Sequence, residues 1–105
     1  MLIQDVIWLE DVEEKIIQKH HVWPEEVDQV FQAHPHVRFM ERGHRQNEDL
    51  YAAFGQTVVG RYLVVYFILK PGTVALVVTA REMTEKEKLW RTQKIVRAVS
   101  RNHAR

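Results

Sequence analysis

Three short groups of residues and one longer series in this chain carry side chains that can hold or cleave a phosphodiester bond. Lys19-His20 is the first: a histidine titrates near neutral pH and can take or give a proton, and a neighbouring lysine can hold the phosphate. The same pair equally suits the C-terminal end of a helix, where positive charge meets the negative end of the dipole. Ala80-Arg81-Glu82 is the second, following a strand-like run and standing just before Thr84-x-x-Glu87. Arg81 can present its guanidinium fork to a phosphate there, assisted by the amides of a helix N-terminus, or pair on the surface with Glu82 or Glu85. Glu48, with Asp49 beside it, can act as general base toward a ribose 2′-hydroxyl; most carboxylates at strand edges instead serve as solvated edge protectors. The longer series is Arg91, Lys94, Arg97, Arg101 and Arg105, which at helical spacing share an arc of roughly 120°. Such a stripe suits RNA phosphates, a solvated face or a protein partner.

Other chemistries have weaker support. His34-Pro35-His36 is at most half of a metal site, and the six histidines of the chain include no motif with zinc-ligand spacing. The chain has no cysteine, which excludes disulfides and thiolate zinc sites and suits a reducing cytoplasm. It has no glycine-rich phosphate loop, nucleophile elbow or zinc-protease motif. Neither a cofactor nor a metal is expected. The apolar run Tyr62 to Leu69 is far shorter than the roughly 18 to 20 residues of a membrane span, and no secretory pattern opens the chain, so no membrane partner is expected. The net charge of +1 hides a division: Met1 to Phe31 holds eight acids against two bases, and Gln32 to Arg105 six acids against thirteen bases. One part of the surface therefore suits phosphate and another a basic partner.

The elements that must position these groups can be read from periodicity. Leu2 to Trp8, rich in β-branched and aromatic residues, predicts a first strand. Leu9, Val12, Ile16 and Ile17 repeat at three- and four-residue spacing behind Glu10, Asp11, Glu13 and Glu14, which predicts a helix ending at Lys19-His20. Pro24 starts a second helix with Val27, Val30 and Phe31 as its buried stripe, and Trp23 is placed to staple onto Val27. The period then changes to two. Val37 and Phe39 suit a strand; Arg42 to Asn47 a polar loop; Leu50, Ala52 and Phe54 one face of the next strand; and Arg61 to Leu69 a central strand. Lys70-Pro71-Gly72-Thr73 predicts a type II turn and Val74 to Thr79 its hairpin partner. Thr84 and Glu87 form a capping box for a last helix through Trp90 and toward the C-terminus. The order β-α-α-β-β-β-β-α predicts one α+β domain over residues 1–105. An antiparallel β-meander carries the helices on one face, two of them N-terminal and one C-terminal, with 91–105 as a basic helical tail. Trp8, Trp23, Tyr62 and Tyr66 are expected in the core.

Taken together, these residues resemble the BrnT family of ribonuclease toxins of type II toxin–antitoxin systems, which have a RelE-like fold. The likeness runs from about Trp8 to Trp90. It comprises a strand leading into a helix that ends in Lys19-His20, a second helix closing in Val30-Phe31 with Pro35 nearby, Gly60-Arg61 before a valine-rich strand, and Ala80-Arg81 before a helix containing Glu87. The resemblance implies a metal-independent endoribonuclease held inactive by a DNA-binding antitoxin of the ribbon-helix-helix type, as a homo-oligomer or a toxin–antitoxin hetero-oligomer. It implies Lys19, His20, Glu48, Arg61 and Arg81 as catalytic residues converging on one concave patch, and RNA as substrate. In the proposed chemistry Glu48 or His20 takes the proton of the 2′-hydroxyl, while Lys19, Arg61 and Arg81 bind the phosphate. Arg91, Lys94, Arg97 and Arg101 are the further nucleic-acid contacts expected from their charge. The chain departs from the family pattern at three places: Leu50 stands where an arginine is usual, His21 where glycine is favoured, and Thr79 where serine precedes Ala-Arg. Leu50 raises the alternative of a catalytically weak or inactive module that binds RNA or a protein partner.

Overall fold

Alternation along the middle of the chain divides the side chains between two faces of a sheet. In the computed structural model, which describes residues 1–89, the elements are β1 (Asp5–Ile7), α1 (Glu10–His20), α2 (Pro24–Gln32), β2 (His36–Glu41), β3 (Leu50–Gln56), β4 (Tyr62–Lys70) and β5 (Val74–Glu82). Residues 85–89 are helical as well. The five strands form one sheet in the order β1-β5-β4-β3-β2. β2 to β5 make the expected antiparallel meander, and β1 adds a short parallel edge to β5 through Asp5 to Ile7 against Val74 to Leu76. The sheet is therefore mixed. The chain leaves β1 into two helices and a meander before β5 returns beside it, and a connection of that length permits a parallel pair.

The helix-covered face holds the larger core. Ile16 of α1 and Val27, Val30 and Phe31 of α2 pack onto Ala53, Leu63, Val65, Phe67, Ala75, Val77 and Ala80. Phe31 meets Phe67 edge-on with ring centroids 5.3 Å apart. Fully burying each such side chain contributes about 1.5–3 kcal/mol, so this face supplies most of the apolar stabilisation. α1 packs over β5, and α2 over β3 and β4. Closeness matters at Gly55, where a side chain would press on Val30 and Pro35.

The opposite face carries a smaller cluster of Ala52, Phe54, Val64 and Met83, flanked by Tyr62 and Tyr66. The helical start at 85–89 lies here, because Glu87 bonds Arg81 and Lys88 stands over the Tyr62 ring at 5.7 Å. All helices on one face was the expectation; the last begins on the other, since β5 delivers Arg81 to that side and the capping box follows at once. Tyr62 and Tyr66 border this face half-buried, and Trp23 is 52% exposed rather than in the core. The helical tail expected at 91–105 lies outside the described residues.

Local signals behave as their chemistry demands. Thr84 N–H donates to Glu87 at 2.8 Å and Glu87 N–H to the Thr84 hydroxyl at 3.2 Å, a complete capping box. Gly72 at φ 80° occupies the third position of the Lys70–Thr73 turn. His21 ends α1 at φ 53° in the left-handed region, with its N–H bonded to the Ile17 carbonyl. This is the position where the family pattern favours glycine, and a left-handed non-glycine residue is strained by roughly 1–2 kcal/mol. We expect His21→Gly to stabilise the fold by about 1 kcal/mol, a rise of roughly 5 °C in a thermal melt, since the residue is exposed and its left-handed backbone suits glycine.

Candidate functional site

Of the candidate cations, Arg61 has the most elaborate surroundings. It leaves the turn Thr57–Gly60, which closes by the Gly60 N–H to the Thr57 carbonyl and needs Gly60 at φ 90°. The Thr57 hydroxyl then takes the Arg61 N–H at 3.0 Å, which sets where the side chain starts. On the helix-covered side its guanidinium donates to the carbonyls of His20 (3.2 Å) and His21 (2.6 Å), to both Glu26 oxygens (2.9 and 3.2 Å) and, from Nε and one terminal nitrogen, to Glu82 (3.2 and 2.8 Å). Burial opposes this charge, but the bonds to Glu82 and Glu26 outweigh it and hold the pKa above the ordinary arginine value. Glu26 is itself set by the Trp23 N–H at 3.1 Å, so one carboxylate caps α2 and anchors Arg61. Arg61 therefore joins the end of α1, the start of α2 and the end of β5.

Arg81 is one residue before Glu82 and so projects from the opposite face. Its register partner is Val64, and its guanidinium bonds both Glu87 oxygens (2.7 and 3.0 Å), the Tyr66 hydroxyl (3.0 Å) and the Glu82 carbonyl (3.1 Å). It also stands over the Tyr66 ring at 5.6 Å. The bond to Glu87 is the main reason that the Arg81 pKa lies well above its usual value. The same bond, together with the Thr84 amide, lowers the pKa of Glu87 against the opposing effect of burial. A cavity of about 230 Å³ beside this cluster is lined by Arg38, Met40, Phe54, Tyr66, Lys86 and Glu87.

The five expected catalytic residues do not all converge. Lys19, exposed, and His20, half-buried, end α1 and are held to the C-terminal end of β5 through Arg61. Arg81 is at the same end of β5 but on the other face, so these residues bracket a rim rather than line one concave wall. β1 covers β5 only as far as Leu76, so at the rim β5 is paired with β4 alone among the described residues. Glu48 is elsewhere. It precedes Leu50, which pairs with Ile68, whereas Arg61 precedes Tyr62, which pairs with Gln56. The six steps along β3 separate the two ends by roughly 20 Å. Glu48 cannot share a phosphate with His20 or Arg81, because the antiparallel register sends the start of β3 and the start of β4 to opposite ends of the sheet.

Sequence reasoning missed Glu26 and Glu82 as partners of Arg61, and gave Arg81 Glu82 or Glu85 where the structure gives Glu87 and Tyr66. Tyr66 was legible in principle, since Tyr62, Val64 and Tyr66 share one face by alternation with Arg81 due opposite; the triangle of Arg61, Glu26 and Glu82 spans three elements and leaves no local pattern. Leu50, where the family pattern has arginine, is half-buried beside Glu48. Among the described residues no group of three or more histidine, cysteine, aspartate or glutamate side chains is arranged to hold a metal ion, and His34-Pro35-His36 gathers no further ligand. No helix among them is long and apolar enough to cross a membrane. The acidic N-terminal part gathers as the charge count suggested: burial first, then Glu25 and Asp5, raise the pKa of Asp28. Arg91, Lys94, Arg97 and Arg101 lie outside the described residues.

The model of a family described as the ribonuclease toxin BrnT of type II toxin–antitoxin systems matches residues 8–87. The crystal structure of the Brucella abortus ribonuclease toxin BrnT matches at 16% identity with a TM-score of 0.56, over 77% of this chain and 97% of that one, which shows a shared fold. No curated protein matches.

Arg61→Ala should cost about 2–4 kcal/mol in urea unfolding, because it leaves two carboxylates and two carbonyls without their shared donor. Arg61→Lys should recover less than half, since one ammonium cannot reach acceptors spread around a planar fork. The lowered Glu87 pKa fixes a sign for acid stability: its contribution is present above the ordinary glutamate value of 4.5 and is lost as pH falls through the lower folded value. Melting the protein and Glu87→Gln between pH 6 and pH 3 should show the two curves converging at the acid end; parallel curves would exclude the linkage.

Proposed function

The chain belongs to the family of BrnT ribonuclease toxins of type II toxin–antitoxin systems, and we propose that it is an endoribonuclease that cleaves at the rim formed by the ends of α1 and β5. The observation that carries this reading is the family match across every element that builds the rim, from α1 through the capping-box residue Glu87. The chemistry is in-line attack of a ribose 2′-hydroxyl on the adjacent phosphorus. The new bond joins the 2′-oxygen to phosphorus, the bond from phosphorus to the 5′-oxygen breaks, and the products end in a cyclic 2′,3′-phosphate and a 5′-hydroxyl. His20 takes the 2′ proton, water protonates the departing 5′-oxygen, and Lys19 by contact and Arg81 by its fixed positive charge stabilise the charge that develops on the phosphoryl oxygens. Arg61 serves as a positioning residue that holds the Lys19-His20 turn against β5. These roles need no metal ion. The partner is a cognate antitoxin, of the ribbon-helix-helix type and forming a hetero-oligomer, and Arg91, Lys94, Arg97 and Arg101 add electrostatic contact to RNA.

A module that binds RNA or a protein partner without cleaving is the second reading. Leu50 in place of arginine favours it, as does the occupation of Arg81 by Glu87. Incubating the purified full chain with mixed RNA in excess EDTA separates the two. We expect cleavage, with kcat lowered by roughly 100-fold or more in His20→Ala and in Arg81→Ala while circular dichroism confirms folding. RNA left intact by folded protein would select the binding module, and cleavage abolished by EDTA and restored by a divalent cation would overturn the metal-independent scheme.

A further inference from the structure

Arginines differ in what they can still bind. Those of the rim have used their donors: Arg61 on two carboxylates and two carbonyls, Arg81 on Glu87, Tyr66 and a carbonyl. The loop 42–49 between β2 and β3 is different. Arg42, His44 and Arg45 are exposed there, and among the described residues none of them donates to an acid. Acids are close in sequence, yet Asp49 accepts the Gly43 N–H at 3.0 Å and Gly43 packs against the Glu48 backbone, where a side chain would collide. The loop is thus closed by the Asp49 carboxylate on the Gly43 N–H and leaves Arg42 and Arg45 outward. It frames a cavity of about 520 Å³ whose other walls are Gln46, Asn47, Asp49, Tyr51 and Leu69. Arg42 and His44 also line a smaller hollow of about 190 Å³ on the other side of the loop, with Glu48 and Leu50.

Cations with free donors, two side-chain amides and an aromatic wall around one cavity match the parts of a nucleotide: the guanidinium groups suit phosphate oxygens and the amides suit base edges. Leu50 shares by alternation the open face of Ala52 and Phe54, so the smaller hollow beside Arg42 lies on the face that carries Arg38, Met40 and Tyr66 around the cavity near Arg81. We propose that loop 42–49 is a second anchoring site for single-stranded RNA, holding the backbone roughly 20 Å from the rim through Arg42 and Arg45. The inference rests on the ribonuclease reading and adds the class of substrate to it. The preferred substrate is a single strand several nucleotides long, engaged at both ends of the sheet, rather than an isolated linkage.

The test uses the full chain and its Arg42→Ala/Arg45→Ala double variant. A fluorescein-labelled 12-nucleotide RNA with 2′-O-methyl groups, which cannot be cleaved by attack of a 2′-hydroxyl, reports binding by anisotropy from 50 to 200 mM salt. We expect the double variant to bind at least tenfold more weakly at 50 mM salt, with the slope of log affinity against log salt reduced by about 1.4, two single-strand phosphate contacts at roughly 0.7 each. On cleavable RNA, kcat/KM for the 12-mer should fall at least tenfold further than kcat/KM for a dinucleotide. Equal affinity and slope in the two proteins, at equal melting temperature, would overturn the anchoring site while leaving a cleaving protein's nuclease assignment intact. So would an equal loss on both substrates. RNA bound with the expected slope change but never cleaved would uphold the anchor and sink the nuclease reading. No RNA binding by the parent protein would sink both.

Discussion

One guanidinium decides how the helices sit on the sheet. Arg61 gathers the last carbonyls of α1, the first-turn acid of α2 and the terminal acid of β5. The carbonyls at a helix C-terminus have no intrahelical donor, and Arg61 satisfies two of them with charge of the sign that the dipole favours. Apolar packing of Ile16, Val27, Val30 and Phe31 brings the helices to the sheet, but dispersion and burial are not directional. The planar fork, fixed at its root by Thr57, supplies the direction. It sets the helix end that carries Lys19-His20 beside the end of β5, and the rim exists because of that contact.

The faces of the sheet divide the labour. The helix-covered side is a conventional core with one charged hub at its margin, so its polar groups are consumed by the fold. The open side joins a thin apolar cluster to cations over aromatic rings, Arg81 on Tyr66 and Lys88 on Tyr62. A guanidinium already bound by a carboxylate is held in place and stays charged at any ordinary pH, a good arrangement for fixing a positive potential where charge develops and a poor one for seizing a distant phosphate. Among the described residues Arg42 and Arg45 of the loop between β2 and β3, at the opposite end of the sheet, pair with no acid.

Membership of the BrnT family explains the shared elements, and the departures have local physical content. His21 keeps a left-handed helix end that glycine would adopt without strain, so the backbone conformation is retained at a cost in stability. Leu50 is half-buried at the start of β3, next to a loop that holds Arg42 and Arg45. Positive charge is thus absent from the strand itself and present in the turn that leads into it.

Local chemistry was enough to derive most of the elements. Alternation in Leu50 to Phe54, the first-turn acids of α1, Pro24, the Lys70–Thr73 turn and the Thr84/Glu87 box each act over a few residues, and a free-energy term that acts over a few residues can be read in one dimension. The strand sequence and the meander followed from the short turns. The parallel seat of β1, the face on which the last helix begins, and the roles of the arginines did not. Arg61 and Arg81 look alike in the sequence, each bordering a strand, yet a single step of strand parity sends them to opposite faces. Glu48 looks close to both, yet antiparallel register places it at the far end. Which cation is spent and which is free depends on acids supplied from other elements, Glu26 and Glu82 for Arg61 and Glu87 for Arg81. Pairing across elements is set by packing and register, and only the assembled chain contains those.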